Sequence, residues 1–251
     1  MIAKRIRLVA WSIFLTTTLV AAQTESNKLW EYKGFAGYNL GGSSPLPLPA
    51  EIRKIHSWSP GIAGTLAFHA TRWLNPRWGV TSGLAIDIKG MKIEADVKYL
   101  YTQLQVGEGD HTGTFSGIFT GRNKTTVRNG YLVLPLLATY RPSGLWTFHM
   151  GGYCAFLQDA RVEGSASNGY IRNGGPAGDR INIEMSTFDF SEHVRKTDAG
   201  LIALVDYFLT NKISATGQLS WGLLPLFPSS FSGIPYKMYN IYFMGGIAYR
   251  L

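Results

Sequence analysis

Hydrophobic and polar side chains alternate along most of this chain with a period of two. Residues 213–224 place Ile, Ala, Leu and Trp at odd positions and Ser, Thr and Gln at even positions, and residues 78–89 and 238–251 show related patterns. Successive side chains of a β-strand point to opposite faces, so the alternation predicts strands with one apolar and one polar face.

The same pattern, with the turn residues between its segments, predicts eight strands. Their approximate bounds are 29–40, 60–74, 77–92, 126–141, 144–161, 196–209, 211–224 and 238–251. The connections alternate in kind. Tight turns with Pro, Asn, Ser and Gly are predicted around 74–77, 141–144 and 210–212. Long polar loops are predicted at 41–59, 93–125, 162–195 and 225–237.

Short turns at one end and long loops at the other are typical of an outer-membrane barrel. The sequence therefore predicts an all-β fold, an eight-stranded antiparallel up-and-down transmembrane β-barrel with short periplasmic turns and long extracellular loops. The interior of such a narrow barrel is filled by side chains. The Gly-rich polar face fits that interior, and the aromatic and aliphatic face fits lipid. The alternative is a soluble barrel with the two faces inverted.

This orientation assigns two sets of residues. The first is a lumenal polar network, in which buried opposite charges must pair because an unpaired one is costly. Its members are Lys33, Asn39, His69, Asp87, Lys89, His149, Asp159, Asp198 and Asp206. The second is an aromatic girdle near the strand ends on the lipid face. Its members are Trp30, Trp78, Tyr140, Trp146, Tyr207, Trp221 and Tyr249.

Composition narrows the class of protein further. Only 16% of the 251 residues are charged and 13% are aromatic, which argues against disorder. A single cysteine, Cys154, rules out a disulfide scaffold and a cysteine-based zinc cluster, and its position predicts a lipid-facing thiol. The net charge is +8, but no basic run suits a nucleic-acid backbone, so no nucleic-acid partner is predicted.

The first segment has the pattern of an export signal. Lys4, Arg5 and Arg7 precede an uncharged stretch of residues 8–22, which ends in small side chains before Gln23. That stretch is shorter than the roughly 20 residues of a membrane-spanning helix. The expectation is a cleavable signal peptide at 1–22, followed by one barrel domain at 23–251.

The sequence contains few candidates for catalytic residues. The five histidines have no metal-binding spacing, and no phosphate-binding loop or cofactor site is predicted. One local group, Asp189, Ser191, Glu192 and His193, combines a hydroxyl, an imidazole and carboxylates, but it falls in a predicted loop. The sequence predicts no catalytic residues, no metal site and no cofactor.

The two longest loops, 93–125 and 162–195, are long enough to be functional or disordered. Both contain aromatic residues. These loops either extend the strands into a rigid ribbon above the membrane or offer a binding surface for a protein or another surface ligand. The expected partners are outer-membrane lipid and such a ligand, and the expected state is a monomer.

Several segments resemble the PorT-type outer-membrane β-barrel family of the Bacteroidetes. These are 34–40 (GFAGYNL), 77–90 with its Arg-Trp and Lys-Gly pairs, 131–137 (YLVLPLL), 198–201 (DAGL) and the terminal 249–251 (YRL). The resemblance spans nearly the whole chain after residue 22, and it implies an outer-membrane location in a Gram-negative bacterium.

One position departs from that family. The family has an acidic residue before its Ile-Pro step, where this chain has Val133. If the acid pairs with a lumenal cation, the pairing is absent or moved here. The expected role is structural or loop-mediated binding, without enzymatic activity. The alternatives are a lipid-modifying acyltransferase or hydrolase, and an accessory component of a secretion system.

Overall fold

The computed structural model describes residues 29–106, 113–172 and 178–251. The predicted signal peptide at 1–22 lies outside the described residues, as do short segments of the two longest predicted loops at 107–112 and 173–177. The side chains of 104–106 and 113–115 are also outside the description.

Ten strands make up most of the described chain. They are β1 (Trp30–Pro45), β2 (Ile52–Ser59), β3 (Gly64–Trp73), β4 (Trp78–Val106), β5 (Gly113–Tyr140), β6 (Trp146–Arg172), β7 (Arg180–Asp189), β8 (Thr197–Phe208), β9 (Ile213–Gly222) and β10 (Met238–Arg250). A short 3-10 turn, Ser191–His193, lies between β7 and β8. No helix in these described ranges is long and apolar enough to cross a membrane.

Eight of the strands form a closed antiparallel ring. The order around it is β1, β3, β4, β5, β6, β8, β9 and β10, and β10 pairs with β1 to complete it. The closing register aligns Lys33 with Arg250 and Pro45 with Met238. The predicted eight-stranded barrel is confirmed. Closure satisfies the backbone hydrogen bonds between strands, as a lipid environment requires.

The two ends of the ring differ as predicted. Tight connections join β3 to β4, β5 to β6 and β8 to β9 at one end, here called the turn end. In the first of them the side chain of Asn75 accepts hydrogen bonds from the backbone N–H groups of Arg77 and Trp78, at 3.0 and 2.8 Å. The opposite end is called the hairpin end.

At the hairpin end the strands run further than the sequence pattern predicts. β4, β5 and β6 have 29, 28 and 27 residues, whereas about 9–11 cross a bilayer. The predicted loops 93–125 and 162–195 are therefore largely continuations of these strands, together with β7. β2 lies within the predicted loop 41–59 and pairs with β4, and β7 pairs with β6 and meets β4 at Thr187 and Gln105.

The polarity of the two faces inverts along the long strands. On β4, Leu84 and Ile86 point outward while Asp87 and Lys89 are buried. Eight residues beyond Lys89, Val97 is buried inside and charged side chains occupy the outer face. The barrel thus changes from an apolar exterior around a polar interior to a charged exterior around an apolar interior.

Two separate interior clusters follow from this inversion. Within the ring, small and aromatic side chains such as Phe35, Tyr131 and Tyr153 pack around the polar network. Above it, Leu100, Phe119 and other apolar residues of β4–β7 form a second core, joined by residues of the 225–237 segment. The hairpin end is therefore a folded β-structure with its own core.

Candidate functional site

Eight of the nine residues of the predicted lumenal network lie inside the barrel, and each is at most 6% exposed. They are Lys33, Asn39, His69, Asp87, Lys89, His149, Asp198 and Asp206. Most of them form two groups. The Lys33 cluster consists of Lys33, His149 and Asp206, near the turn end. The Lys89 cluster consists of Asp87, Lys89 and Asp198, nearer the hairpin end.

In the Lys33 cluster the carboxylate of Asp206 has three hydrogen-bond partners. Lys33 on β1 donates a hydrogen bond to Asp206 on β8. Nε2 of His149 lies 3.0 Å from the same carboxylate, and the hydroxyl of Thr216 donates a hydrogen bond to that carboxylate at 2.6 Å. Thr139 lies 2.8 Å from the other ring nitrogen of His149. Side chains of five strands are thereby linked across the lumen.

In the Lys89 cluster one ammonium lies between two carboxylates. Nζ of Lys89 is 3.6 Å from Asp198 and 3.8 Å from Asp87. Asn39 donates its amide to Asp87 at 2.7 Å. The Lys89 ammonium also lies near three aromatic rings, at 5.2, 5.1 and 5.9 Å from the ring centroids of Tyr131, Tyr153 and Tyr242. Cation–π contact of this kind adds to the stabilisation by the carboxylates.

His69 lies on β3 and lines a small internal cavity. Its ring meets Phe35 edge-on at 4.8 Å, and its Nδ1 has no hydrogen-bond partner among the described residues. Thr65, Gln218 and Ser220 line the same cavity, whose volume is about 10 Å³. That is room for about one water molecule.

Asp159, the ninth predicted network residue, is not in the lumen, and its prediction is wrong. Its side chain is 64% exposed and pairs with Arg128 on the outer surface at 3.2 Å. The cause is a register irregularity between β5 and β6 that inserts one extra residue, Gln158. Before it, odd-numbered residues of β6 point inward, as Tyr153 does; after it, even-numbered residues such as Val162 do.

The turn end of the lumen is closed by an ion-pair group that sequence reasoning missed. Glu31 accepts two hydrogen bonds from Arg141, at 2.7 and 2.8 Å, and lies 3.5 Å from Arg250. The Arg141 guanidinium stacks on Trp73 at 4.1 Å. A signal was present, because Arg250 lies on the polar face of the last predicted strand.

The hairpin end of the lumen is closed by apolar side chains. Leu226 and Phe227, from the segment between β9 and β10, are buried together with Phe190 and Val194. Arg195 holds that segment in place by donating hydrogen bonds to the carbonyls of Pro225 and Phe227, at 3.0 and 3.4 Å.

The predicted girdle residues all lie on the outer surface. Six of them are at the turn end, where Trp78 contacts Tyr140 and Trp146 contacts Tyr207 with ring centroids 4.5 and 4.7 Å apart. Trp221 lies at the opposite end, next to Ile241 of β10. Cys154 is exposed on the same apolar surface.

The local group at 189–193 does not form a hydrolase-like arrangement. The Ser191 hydroxyl donates to Asp189 at 2.5 Å and accepts from the backbone N–H of Val162 at 2.9 Å. The His193 ring packs against Phe231 at 4.9 Å. Ser191 therefore anchors the turn to β6. The Ser191 hydroxyl and backbone N–H groups hold the pKa of Asp189 below its usual range.

A second charged group lies on the outer wall of the hairpin end. His56 on β2 is 2.7 Å from Asp96 on β4, and Arg122 on β5 is 3.3 Å from the same carboxylate. The His56 hydrogen bond, aided by Arg122, lowers the pKa of Asp96. Within the described residues, no three His, Cys, Asp or Glu side chains are grouped as metal ligands.

Comparisons with solved structures find several outer-membrane proteins. Ail, the attachment invasion locus protein of Yersinia pestis, is 11% identical over 88% of this chain and 97% of that chain, with a TM-score of 0.32. OprG of Pseudomonas aeruginosa is 11% identical over 90% of this chain and 98% of that chain, with a TM-score of 0.39. The protease OmpT of Escherichia coli is 14% identical over 89% of this chain and 94% of that chain, with a TM-score of 0.32. No curated protein sequence matches the chain.

A family comparison gives the assignment directly. Residues 21–228 match the family described as "Outer membrane protein beta-barrel domain", which is well over half of the chain. The match agrees with the closed ring, the apolar exterior and the aromatic girdle, so the protein is located in the outer membrane. The chain belongs to the outer-membrane protein β-barrel domain family.

Proposed function

We propose that this protein is a non-conducting and non-enzymatic outer-membrane barrel that presents its extracellular β-structure as a binding surface. The observation that carries the proposal is the contrast between the two halves. The membrane-spanning lumen is filled and closed, whereas the hairpin end is built from continuous strands around a second apolar core. A barrel needs no such core to be stable in lipid.

The closed lumen argues against a role as a passive pore. Both ends are sealed, by Glu31 and Arg141 at one and by Phe227 and its neighbours at the other. Between them, the described internal cavity holds about one water molecule. An ion would have to displace paired charges from Lys33 and Lys89, which is costly in a low-dielectric interior.

The extracellular β-structure exposes large apolar side chains that do not contact lipid. Tyr99 and Tyr101 on β4 are 55% and 41% exposed, and Met185 on β7 is 75% exposed. Aromatic and Met side chains are enriched at protein interfaces. Tyr99 also has a left-handed backbone conformation, with φ of 61°. Strained non-glycine residues in that region persist only where the surrounding structure holds them, and they cluster at functional sites.

The test is site-specific photocrosslinking in intact cells. A photoreactive phenylalanine replaces Tyr101, and in a matched control it replaces Leu74, which is 65% exposed in a turn at the periplasmic end. We expect a discrete crosslinked species from position 101 and none of the same mass from position 74. The absence of a species specific to position 101 contradicts the proposed surface role.

We propose that the protein acts as a monomer, with lipid as the partner of its barrel wall. The closed ring leaves no strand edge within the membrane to pair with another copy. Light scattering of the detergent-purified protein should give the mass of one chain plus its micelle. A stable dimer that persists after dilution contradicts this.

We also propose export through removal of residues 1–22. Support comes from the basic, apolar and small-residue order of that segment. Amino-terminal sequencing of protein purified from the outer membrane should begin at Gln23. A sequence that begins at Met1 contradicts the proposal.

The finer placement that we propose is the PorT-type group. The segment 131–137 carries the resemblance, and its Tyr131, Val133 and Leu137 are buried inside the barrel. Val133 lines the same cavity as Lys89, whose carboxylate partners are Asp87 and Asp198. The place of the family's acidic residue thus faces a cavity that a lumenal cation also lines.

A pair of substitutions tests that placement. Glu at position 133 can pair with Lys89, whereas Gln has a similar size and no charge. We expect Val133→Glu to fold with a higher free energy of unfolding than Val133→Gln. Equal destabilisation by the two variants contradicts a preserved acidic position.

A further inference from the structure

A groove lies on the outer face of β5, β6 and β7, on the lateral wall of the hairpin end. Two rows of cross-strand partners line it, Lys124–Ser165–Thr187 and Thr126–Glu163–Asp189. We call it the β5–β7 groove. Its volume is about 370 Å³, which is at the lower end of the range of about 300–1,000 Å³ for small-molecule sites.

The groove opens away from the barrel axis. Val127, Val162 and Phe188 are neighbours of the residues in the two rows, and their side chains are buried in the second apolar core. The side chains of the two rows therefore point outward. Gly164 keeps β5 and β7 close to β6 here, because a Cβ at this position would lie 2.0 Å from the Lys124 carbonyl and 2.5 Å from the Phe188 ring.

The height of the groove excludes ordinary phospholipid headgroups. The apolar outer face of β6 ends at Phe156, and charged side chains begin with Asp159. Glu163 is seven residues beyond Phe156, which corresponds to roughly 15–20 Å along the membrane normal for a tilted strand. Phospholipid headgroups extend only about 5–8 Å beyond the hydrocarbon core. The sugar chains of outer-leaflet glycolipids extend into this layer.

The lining chemistry suits a hydroxyl-rich ligand. Within the parts of the chain that the structure describes, no hydrogen-bond or ion-pair partner engages the side chains of Lys124, Ser165 or Thr187, and the same holds for Thr126. These side chains supply free donors, and the carboxylate of Glu163 supplies acceptors. The only aromatic ring of the lining, Phe188, is buried and offers no apolar surface.

The charges of the groove favour an uncharged ligand. Lys124 opposes the carboxylates of Glu163 and Asp189, and Arg161 lies 3.6 Å from Glu163. The two positive and two negative charges of these groups cancel, so the groove has no excess positive charge to bind a phosphate or a carboxylate.

We propose that the β5–β7 groove binds a neutral saccharide unit of one or two rings that belongs to an outer-leaflet glycolipid. The sugar hydroxyls accept from Lys124, Ser165 and Thr187 and donate to Glu163. This inference goes beyond the proposed function, since it concerns the lateral wall and not the outer tip. Either can fail without the other.

The experiment measures glycolipid binding to the full-length protein in phospholipid nanodiscs by native mass spectrometry. The probes are rough lipopolysaccharide with a complete core, lipid A without core sugars, and the free core oligosaccharide. The test variant is Lys124→Met/Ser165→Ala/Thr187→Val, with Ser165→Ala alone as a milder version. The matched control is Lys54→Met/Ser57→Ala on the outer face of β2, away from the groove.

We expect the wild type and the control to bind rough lipopolysaccharide at least about tenfold more tightly than lipid A, and the test variant to lose about tenfold through two or three hydrogen bonds. The single variant should lose less, in the same direction, and it decides the matter if the triple variant does not fold. Equal binding of the two lipids, or unchanged binding by the variants, overturns the site. Equal affinity for the free oligosaccharide overturns the membrane glycolipid as its source.

Discussion

The ammonium group of Lys33 on β1 donates a hydrogen bond to Asp206 on β8, across the interior of the barrel. The two strands are not neighbours in the ring, since β9 and β10 lie between them. Both side chains are almost fully buried. The pair therefore ties two non-adjacent strands of the membrane-spanning region together.

Removing one partner of this pair should destabilise the barrel strongly. Asp206→Leu leaves the Lys33 charge buried without its carboxylate, and such a loss costs about 3–5 kcal/mol. The measurement is the free energy of unfolding in urea, in lipid vesicles. The double variant Lys33→Met/Asp206→Leu is the control, because it removes both charges and should lose less. A double variant as unstable as the single one contradicts the account of the pair.

A close approach of two strands should make Gly200 intolerant of substitution. A Cβ at this position would lie 2.0 Å from the carbonyl oxygen of Trp221 on β9, which belongs to the backbone and cannot move aside. We expect Gly200→Ala to lose about 1–3 kcal/mol and to reduce the heat-modifiable fraction on gels. Gly144→Ala, in a turn with nothing within 4 Å, is the control and should be neutral. Similar behaviour of the two variants would show that the packing of β8 on β9 is looser.

The left-handed conformation of Tyr99 predicts a gain in stability on substitution by glycine. Glycine adopts a φ of 61° without the steric cost of a Cβ, which is roughly 1–2 kcal/mol. We expect Tyr99→Gly to slow amide exchange around β4 and β5 at the hairpin end, and to weaken any partner crosslink from position 101. Tyr101→Gly, with a non-positive φ, should instead speed exchange. Faster amide exchange in both variants would contradict a steric cost at Tyr99.

The lowered pKa of Asp189 predicts a pH dependence of the turn at 191–193. The pKa of Asp189 in the folded state is below the ordinary 3.8. Its contribution to the free energy of unfolding is therefore present above about pH 4 and is lost as the pH falls through its pKa in the folded state. The difference in unfolding free energy between wild type and Asp189→Asn should be constant at neutral pH and should shrink below pH 4. A difference that does not change with pH refutes the role of the ionised carboxylate.

Much of the membrane-spanning region could be predicted because one rule holds throughout it. Apolar side chains point out and polar ones point in, so the residues around Leu84, Asp87 and Lys89 could be assigned by position alone. The rule inverts near Met91, where the wall leaves lipid. Beyond Met91, charged residues such as Glu94 face water, so the segment has the composition of a loop. The strand nevertheless continues, because Ala95 and Val97 still alternate with the charged residues and point into the interior.

Other features depend on single residues that a period of two does not reveal. One extra residue at Gln158 moves Asp159 from the lumen to the surface. The partners of each buried charge depend on register across the ring, so the pairing of Lys33 with Asp206, and of Glu31 with Arg141, follows only from the closed fold. The β5–β7 groove unites three strands, one of which lies in a predicted loop.

The central claim is a closed barrel that acts through its surface, and ion conductance tests it most directly. Purified full-length protein is inserted into planar lipid bilayers, and single-channel current is recorded at neutral pH over a range of voltages. The account predicts insertion without stable current steps, because the ion-pair group at Glu31 and the apolar residues around Phe227 seal the two ends. Regular, reproducible steps of open-channel current from the wild-type protein would contradict it.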